Sequence, residues 1–182
     1  VPDHWLKTNH KFPGGLEGLK ASIEGRGLKP GLWTNVSFAQ GEYALAHPGY
    51  FVPAPDGRPA NGNWVGYIMD GSNPKTLADL VTPVYRSLVD SGWQYFKVDA
   101  LRHLRYEGYN SFADYFTRRQ LDREAVYRQF ASSITSTLGP KVFKLVCWGV
   151  RPVLLGLFDR CRLGNDGFGY GGFSEYNSFN NI

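Results

Sequence analysis

The residues best suited to chemistry are two aspartates, Asp99 and Asp166, each at the end of a short strand-like stretch. Asp99 closes the run Tyr95-Phe96-Lys97-Val98-Asp99. Side chains alternate along a strand, so Lys97 and Asp99 share one face while Phe96 and Val98 take the other. A lysine and an aspartate on the inward face of a buried strand are costly unless they pair or contact a ligand. Two readings follow. One is a structural ion pair; the other is a nucleophilic carboxylate kept ionised by Lys97, which also reaches substrate hydroxyls. Asp166 closes Arg162-Leu163-Gly164-Asn165-Asp166 and is followed by Gly167. The flanking glycines allow a sharp turn that aims Asp166 into a cleft, or a polar turn on the surface.

These residues need elements to carry them. Gly15 to Glu24 sets Leu16, Leu19 and Ile23 at helical spacing before Gly25 and Gly27. Leu28 to Val36 reads as a strand bearing Trp33, and Ala39 to Asn63 as a long excursion rich in Gly, Pro and Asn. Trp64 to Met69 reads as a second strand, ended by Asp70. Asn73-Pro74 predicts a capped helix start, with Leu77, Leu80, Val81, Val84 and Leu88 on one stripe and Pro83 forcing a kink or break. Tyr95 to Val98 is the third strand. A helix over Arg123 to Leu138, closed by Gly139-Pro140, precedes a fourth strand at Val142 to Trp148. A short apolar helix at Val153 to Phe158 leads to a fifth strand at Cys161 to Leu163. Apolar strands separated by helices predict an α/β fold with a parallel sheet. Such folds do their chemistry beyond the carboxyl ends of the strands, where Trp33, Asp70, Asp99, Trp148 and Asp166 fall.

Composition narrows the function. The 182 residues suffice for one domain with a core, and 42% hydrophobic with 20% charged residues is an ordinary globular balance. Aromatics reach 15%, which suits a core and equally suits the apolar faces of sugar rings. The net charge of +4 is scattered, without the basic–aromatic interleaving of a nucleic-acid surface. Cys147 and Cys161 form neither a disulfide framework nor a metal pair, and the four histidines have no ligand spacing, so no metal is expected. No segment approaches the ~18 apolar residues of a membrane span. The glycines between 164 and 172 lack the context of a phosphate loop, and no Gly-x-Ser-x-Gly elbow is present. The abrupt ends at Val1 and Ile182 read as those of a piece of something longer.

The run Tyr95-Phe96-Lys97-Val98-Asp99 resembles the nucleophile strand of clan-D glycoside hydrolases, which include the melibiase-like α-galactosidases of glycoside hydrolase families 36 and 27. Arg162-x-x-x-Asp166 resembles their Arg-x-x-x-Asp element. Phe12-Pro13-Gly14-Gly15-Leu16 ahead of Gly31-Leu32-Trp33, then Asp70 with Asn73-Pro74, then Cys147-Trp148-Gly149, follow in the family's order. The likeness spans roughly residues 11 to 170. The family's paired acidic residues of the first barrel strand have no counterpart, and Asp99 is followed by Ala100-Leu101-Arg102-His103 in place of the usual polar stretch.

The resemblance implies that residues 1–182 are part of a single catalytic domain, an incomplete (β/α)8 TIM barrel with about five or six βα units. It implies a retaining glycoside hydrolase cleaving terminal α-galactosides, with Asp99 as nucleophile and Asp166 as acid/base. Lys97, Arg162, Trp33, Asp70, Cys147 and Trp148 would bind the oligosaccharide or glycoside substrate, with no metal or organic cofactor. Nucleic acid and membrane are not expected as partners, and neither compartment nor oligomeric state can be read. The alternatives are a related α-glucosidase or α-xylosidase, a transglycosylase of the raffinose-synthase type, or a non-catalytic carbohydrate-binding homologue.

Overall fold

The computed structural model describes residues 1–62, 65–147 and 151–162. Strands β1 (Gly31–Thr34), β2 (Phe38–Ala39), β3 (Tyr67–Ile68), β4 (Tyr95–Val98), β5 (Phe143–Cys147) and β6 (Arg160–Arg162) alternate with helices. The main sheet has the order β1-β4-β5-β6 and every pairing in it is parallel. The α/β class read from the apolar runs is what the chain adopts. Four of the five expected strands lie in that sheet.

The fifth does not. The run 64–69 was expected to add a parallel strand, but Tyr67–Ile68 pairs antiparallel with Phe38–Ala39, apart from the main sheet. Ile68 and Met69 are fully buried there. Burial is all that an apolar run encodes; the direction of pairing is set by distant chain. Among the described residues the parallel sheet therefore has four strands, fewer than the five or six units expected.

The helices are α1 (Pro2–Trp5), α2 (Gly15–Glu24), α3 (Gly41–Ala46), α4 (Pro74–Thr76), α5 (Thr82–Asp90), α6 (Leu101–His103), α7 (Ala113–Arg118) and α8 (Arg123–Leu138). The Asn73 side chain caps α4 by accepting from the Lys75 N–H, with Pro74 in the first turn. Pro83 neither breaks nor ends the helix. A π-helical turn over Leu77–Val81 joins α4 to α5 just ahead of it. The wider turn accommodates a residue that cannot donate to the preceding carbonyl. Asp122 caps α8 through the Glu124 N–H, and Gly139 ends it at φ +76°. The short helix expected over 153–158 is reduced to one 3-10 turn, Pro152–Leu154.

The main sheet has one closed and one open face. Phe96, Val98 and Val146 are buried against Val84, Tyr85 and Leu88 of α5 and Phe130, Ala131 and Ile134 of α8. The opposite face carries Trp33, Lys97, Asp99 and Leu145, all partly exposed or exposed. Lower on that face Tyr95 stacks on Phe143, with centroids 5.3 Å apart and planes 9° from parallel. Gly31 is required beside them, since a Cβ there would meet Cδ1 of Tyr95 at 2.8 Å.

Candidate active site

The parallel register lines up the residues of the open face. Trp33 pairs with Lys97 across β1 and β4, Lys97 with Leu145 across β4 and β5, and Cys147 with Arg162 across β5 and β6. The Asp99 N–H extends the ladder by donating to Thr34 O at 2.8 Å. One step past β4, Asp99 stands between the ends of β1 and β5.

Its carboxylate is held by several donors. The Trp33 indole Nε1 donates to Oδ2 at 2.7 Å. The N–H of Ala100 donates to Oδ1 at 2.7 Å. Ala100 sits in the left-handed region, at φ +62°, a conformation that costs a residue with a Cβ about 1 kcal/mol. Lys97 Nζ lies 3.8 Å from Oδ2, an ion pair without a close hydrogen bond. Burial pushes the Asp99 carboxyl upward, but the donors from Trp33, Ala100 and Cys147 and the Lys97 charge outweigh it and hold it below the ordinary value.

Cys147 is 1% exposed and sits between this carboxylate and an arginine. Burial, and then the Asp99 charge, push its thiol up to about 11. It therefore stays protonated near neutrality and can donate to Asp99. Arg162 Nη1 in turn donates to Cys147 Sγ at 3.3 Å. The thiol thus passes a hydrogen bond from a cation on β6 to a carboxylate beyond β4.

Of the residues singled out in the sequence, Trp33, Lys97, Asp99, Cys147 and Arg162 converge. Asp166 and Trp148 lie outside the described residues. Asp70 belongs to a different cluster. It is 3% exposed; Oδ1 accepts from Ser72 N at 2.9 Å and Ser72 Oγ at 2.6 Å, and Oδ2 from Tyr115 at 2.6 Å and Arg119 at 3.5 Å. Those four donors fill the accepting capacity of a carboxylate. Burial and Asp70 together push the Tyr115 phenol up to about 12, so it remains a donor.

Sequence reading missed several residues that build the region. Trp5 lies against Trp33, with ring centroids 6.1 Å apart, and the two line a cavity of ≈340 Å³ with His4, Asn35 and Gln40. Tyr109, on a π-helical segment over Leu104–Asn110, accepts from Gly71 N at 2.9 Å and donates to Met69 O at 3.2 Å, fixing the chain beside Asp70. Glu124 draws together Arg105 and Arg151. No local signal marks these partners, because each contact joins distant segments. Among the described residues no group of His, Cys, Asp or Glu could hold a metal, and no helix is long and apolar enough to cross a membrane.

The family model described as Melibiase matches residues 3–139. The chain belongs to the Melibiase family. The match takes in Trp33, Asp70, Lys97 and Asp99, while Cys147 and Arg162 lie beyond it. Among solved structures, this melibiase-family chain is similar to TtGalA, an α-galactosidase from Thermus thermophilus in complex with stachyose, at 27% identity and a TM-score of 0.68. That likeness covers 87% of this chain and 33% of TtGalA. The complex of TtGalA with p-nitrophenyl α-D-galactopyranoside matches at 26% identity and a TM-score of 0.69, over 87% of this chain and 31% of that one. A variant of the family 36 α-galactosidase AgaA from Geobacillus stearothermophilus, in complex with 1-deoxygalactonojirimycin, shares the fold at 23% identity and a TM-score of 0.52, over 74% and 19%. The chain thus spans about a third of the length of TtGalA and less of AgaA. A comparison with curated protein sequences gives no match.

Proposed function

We propose that this chain supplies the nucleophile-bearing part of a retaining glycoside hydrolase that cleaves terminal α-galactosides, within a (β/α)8 barrel. The observation that carries the reading is Asp99 itself. It is a partly buried carboxylate at the carboxyl end of a parallel strand, kept ionised by side-chain and backbone donors from three directions. A general acid would need the opposite shift. Membership of the Melibiase family, and the galactosides bound by TtGalA, support the choice of sugar.

In this scheme an Asp99 oxygen attacks the anomeric carbon while the bond to the leaving oxygen breaks. Asp166 gives its proton to that oxygen. A water then attacks the same carbon, returns a proton to Asp166, and releases Asp99 as a carboxylate. The two carboxyl groups of such a pair stand about 5–5.5 Å apart. Lys97 and Arg162 serve the sugar hydroxyls, with Trp33 and Trp148 along the walls, while Cys147, buried between Asp99 and Arg162, acts behind them and does not touch the sugar. For Asp70 we favour a positioning role in place of a direct sugar contact, since its lone pairs are already taken by Ser72, Tyr115 and Arg119.

The test is hydrolysis of p-nitrophenyl α-D-galactopyranoside by the intact protein, with the anomer of the first product followed by proton NMR. Release of the α-anomer, with turnover abolished in Asp99→Asn, supports the reading. First release of the β-anomer, or full turnover in Asp99→Asn, rejects it.

A further inference from the structure

Trp33 offers its surroundings two distinct surfaces. One is the flat ring, 52% exposed as a residue and packed against Trp5, which suits a wall for an apolar sugar face. The other is the N–H edge, and that edge is already committed: Nε1 stands 2.7 Å from Oδ2 of Asp99. A residue needed only as a wall has no reason to spend its single donor on the nucleophile.

The other donors around Asp99 cannot replace it. The Ala100 N–H serves the opposite oxygen, Oδ1. Lys97 approaches Oδ2 only to 3.8 Å. The Cys147 thiol is a weak donor by nature. Oδ2 therefore has one strong side-chain hydrogen bond, and it comes from a rigid ring. Trp5, packed at 6.1 Å between ring centroids, limits the orientations that ring can take.

We propose that Trp33 is a positioning residue for the nucleophile, its indole N–H fixing Oδ2 of Asp99 and favouring the ionised carboxylate, so that its contribution to turnover runs through Asp99 more than through stacking on the sugar. This rests on the reading of Asp99 as nucleophile. The hydrogen bond also acts in the second half-reaction, where it stabilises the carboxylate that departs from the anomeric carbon.

The experiment compares the intact wild-type protein with Trp33→Phe, which keeps a ring and removes the donor, on p-nitrophenyl α-D-galactopyranoside across pH. The acid limb of kcat/KM reports the free enzyme; it should move up by about one pH unit, with kcat down about 10–100-fold and KM changed less than about threefold. A KM raised about tenfold with the limb unmoved would mean a stacking wall only, and would overturn the proposal. A second readout does not depend on turnover or on the variant's folding. Of the five tryptophan indole N–H resonances, one should shift upfield in Asp99→Asn and on acid titration of the wild type. If none responds, the proposal fails even in an active enzyme. If one responds in a protein that hydrolyses no galactoside, the function reading fails and the hydrogen bond stands.

Discussion

Lys97 and Asp99 leave β4 on the same face, and their charged ends close to 3.8 Å with each side chain about a quarter exposed, 28% and 26%. The two readings of this pair, structural or catalytic, make different demands on the charge. Of the influences on Asp99, Lys97 is the weakest, behind burial, Trp33, Ala100 and Cys147. Lys97→Met should therefore move the acid limb of kcat/KM less than Trp33→Phe does, while raising KM about 10-fold through lost hydroxyl contacts. A large limb shift with KM unchanged would assign Lys97 to the carboxylate alone.

The direction of the Asp99 shift also sets a pH dependence of stability. A carboxyl whose folded value is depressed stabilises the fold above its ordinary value, 3.8, and loses that contribution as pH falls through the depressed one. Acid melting curves of wild type and Asp99→Asn should thus converge below about pH 4 and stand apart above it. Wild type should melt higher at neutral pH. Curves that separate only in acid would contradict the assignment of Asp99 as an ionised group.

Cys147 should resist alkylation. Its thiol is buried and pushed up to about 11, so almost none is thiolate at neutral pH. Mass spectrometry after iodoacetamide treatment of the folded protein at pH 8 should find Cys147 unmodified, with labelling appearing only on unfolding. Rapid labelling in the native state would mean that the thiol is not the neutral link between Arg162 and Asp99.

Glu124 anchors α8 to two arginines. Burial pushes its carboxyl up, but Arg105 and Arg151 outweigh that and hold it low. The Arg105 side chain is only 8% exposed, so Glu124→Gln strands a buried cation. A loss of about 2–4 kcal/mol in unfolding free energy is expected, without change in the shape of the pH–rate profile. An altered acid limb would place Glu124 in the chemistry.

Two glycine substitutions should behave oppositely. A Cβ on Gly71 would meet Tyr109 Oη at 2.6 Å and Phe130 Cβ and Val126 O at 3.2 Å, whereas one on Gly18, within α2, meets nothing within 4 Å. Gly71→Ala should destabilise by about 1–3 kcal/mol through overpacking. Gly18→Ala should stabilise by about 0.5–1 kcal/mol through helix propensity. Equal melting temperatures for the two would deny the close packing around Tyr109.

What could be read in advance was local or periodic. The Asn73 cap, the span of α8 and the parallel class all follow from short-range signals, and the structure has each of them. The strand at Tyr67–Ile68 was legible as buried but not as antiparallel, because its partner lies 28 to 30 residues away. The π-helical segment over Leu104–Asn110 went unseen together with α6 and α7 on either side of it, since Ala100 and Phe112 offer no capping side chain and Gly108 interrupts the stretch. At the candidate site, residue types and strand alternation singled out Asp99, Lys97 and Trp33, which the structure brings together. Which edge of Trp33 faces Asp99 depends on a rotamer, and two of the three partners of Asp70 stand 45 and 49 residues along the chain, at Tyr115 and Arg119.

The most direct test of the central claim is covalent trapping. The intact protein is incubated with an activated fluorinated α-galactoside, whose glycosyl-enzyme forms faster than it hydrolyses, then digested and sequenced by mass spectrometry. The account predicts one stoichiometric glycosyl adduct, on Asp99 in the peptide containing Tyr95-Phe96-Lys97-Val98-Asp99, and none in Asp99→Asn. Turnover with no adduct, or an adduct on another carboxylate, would contradict it.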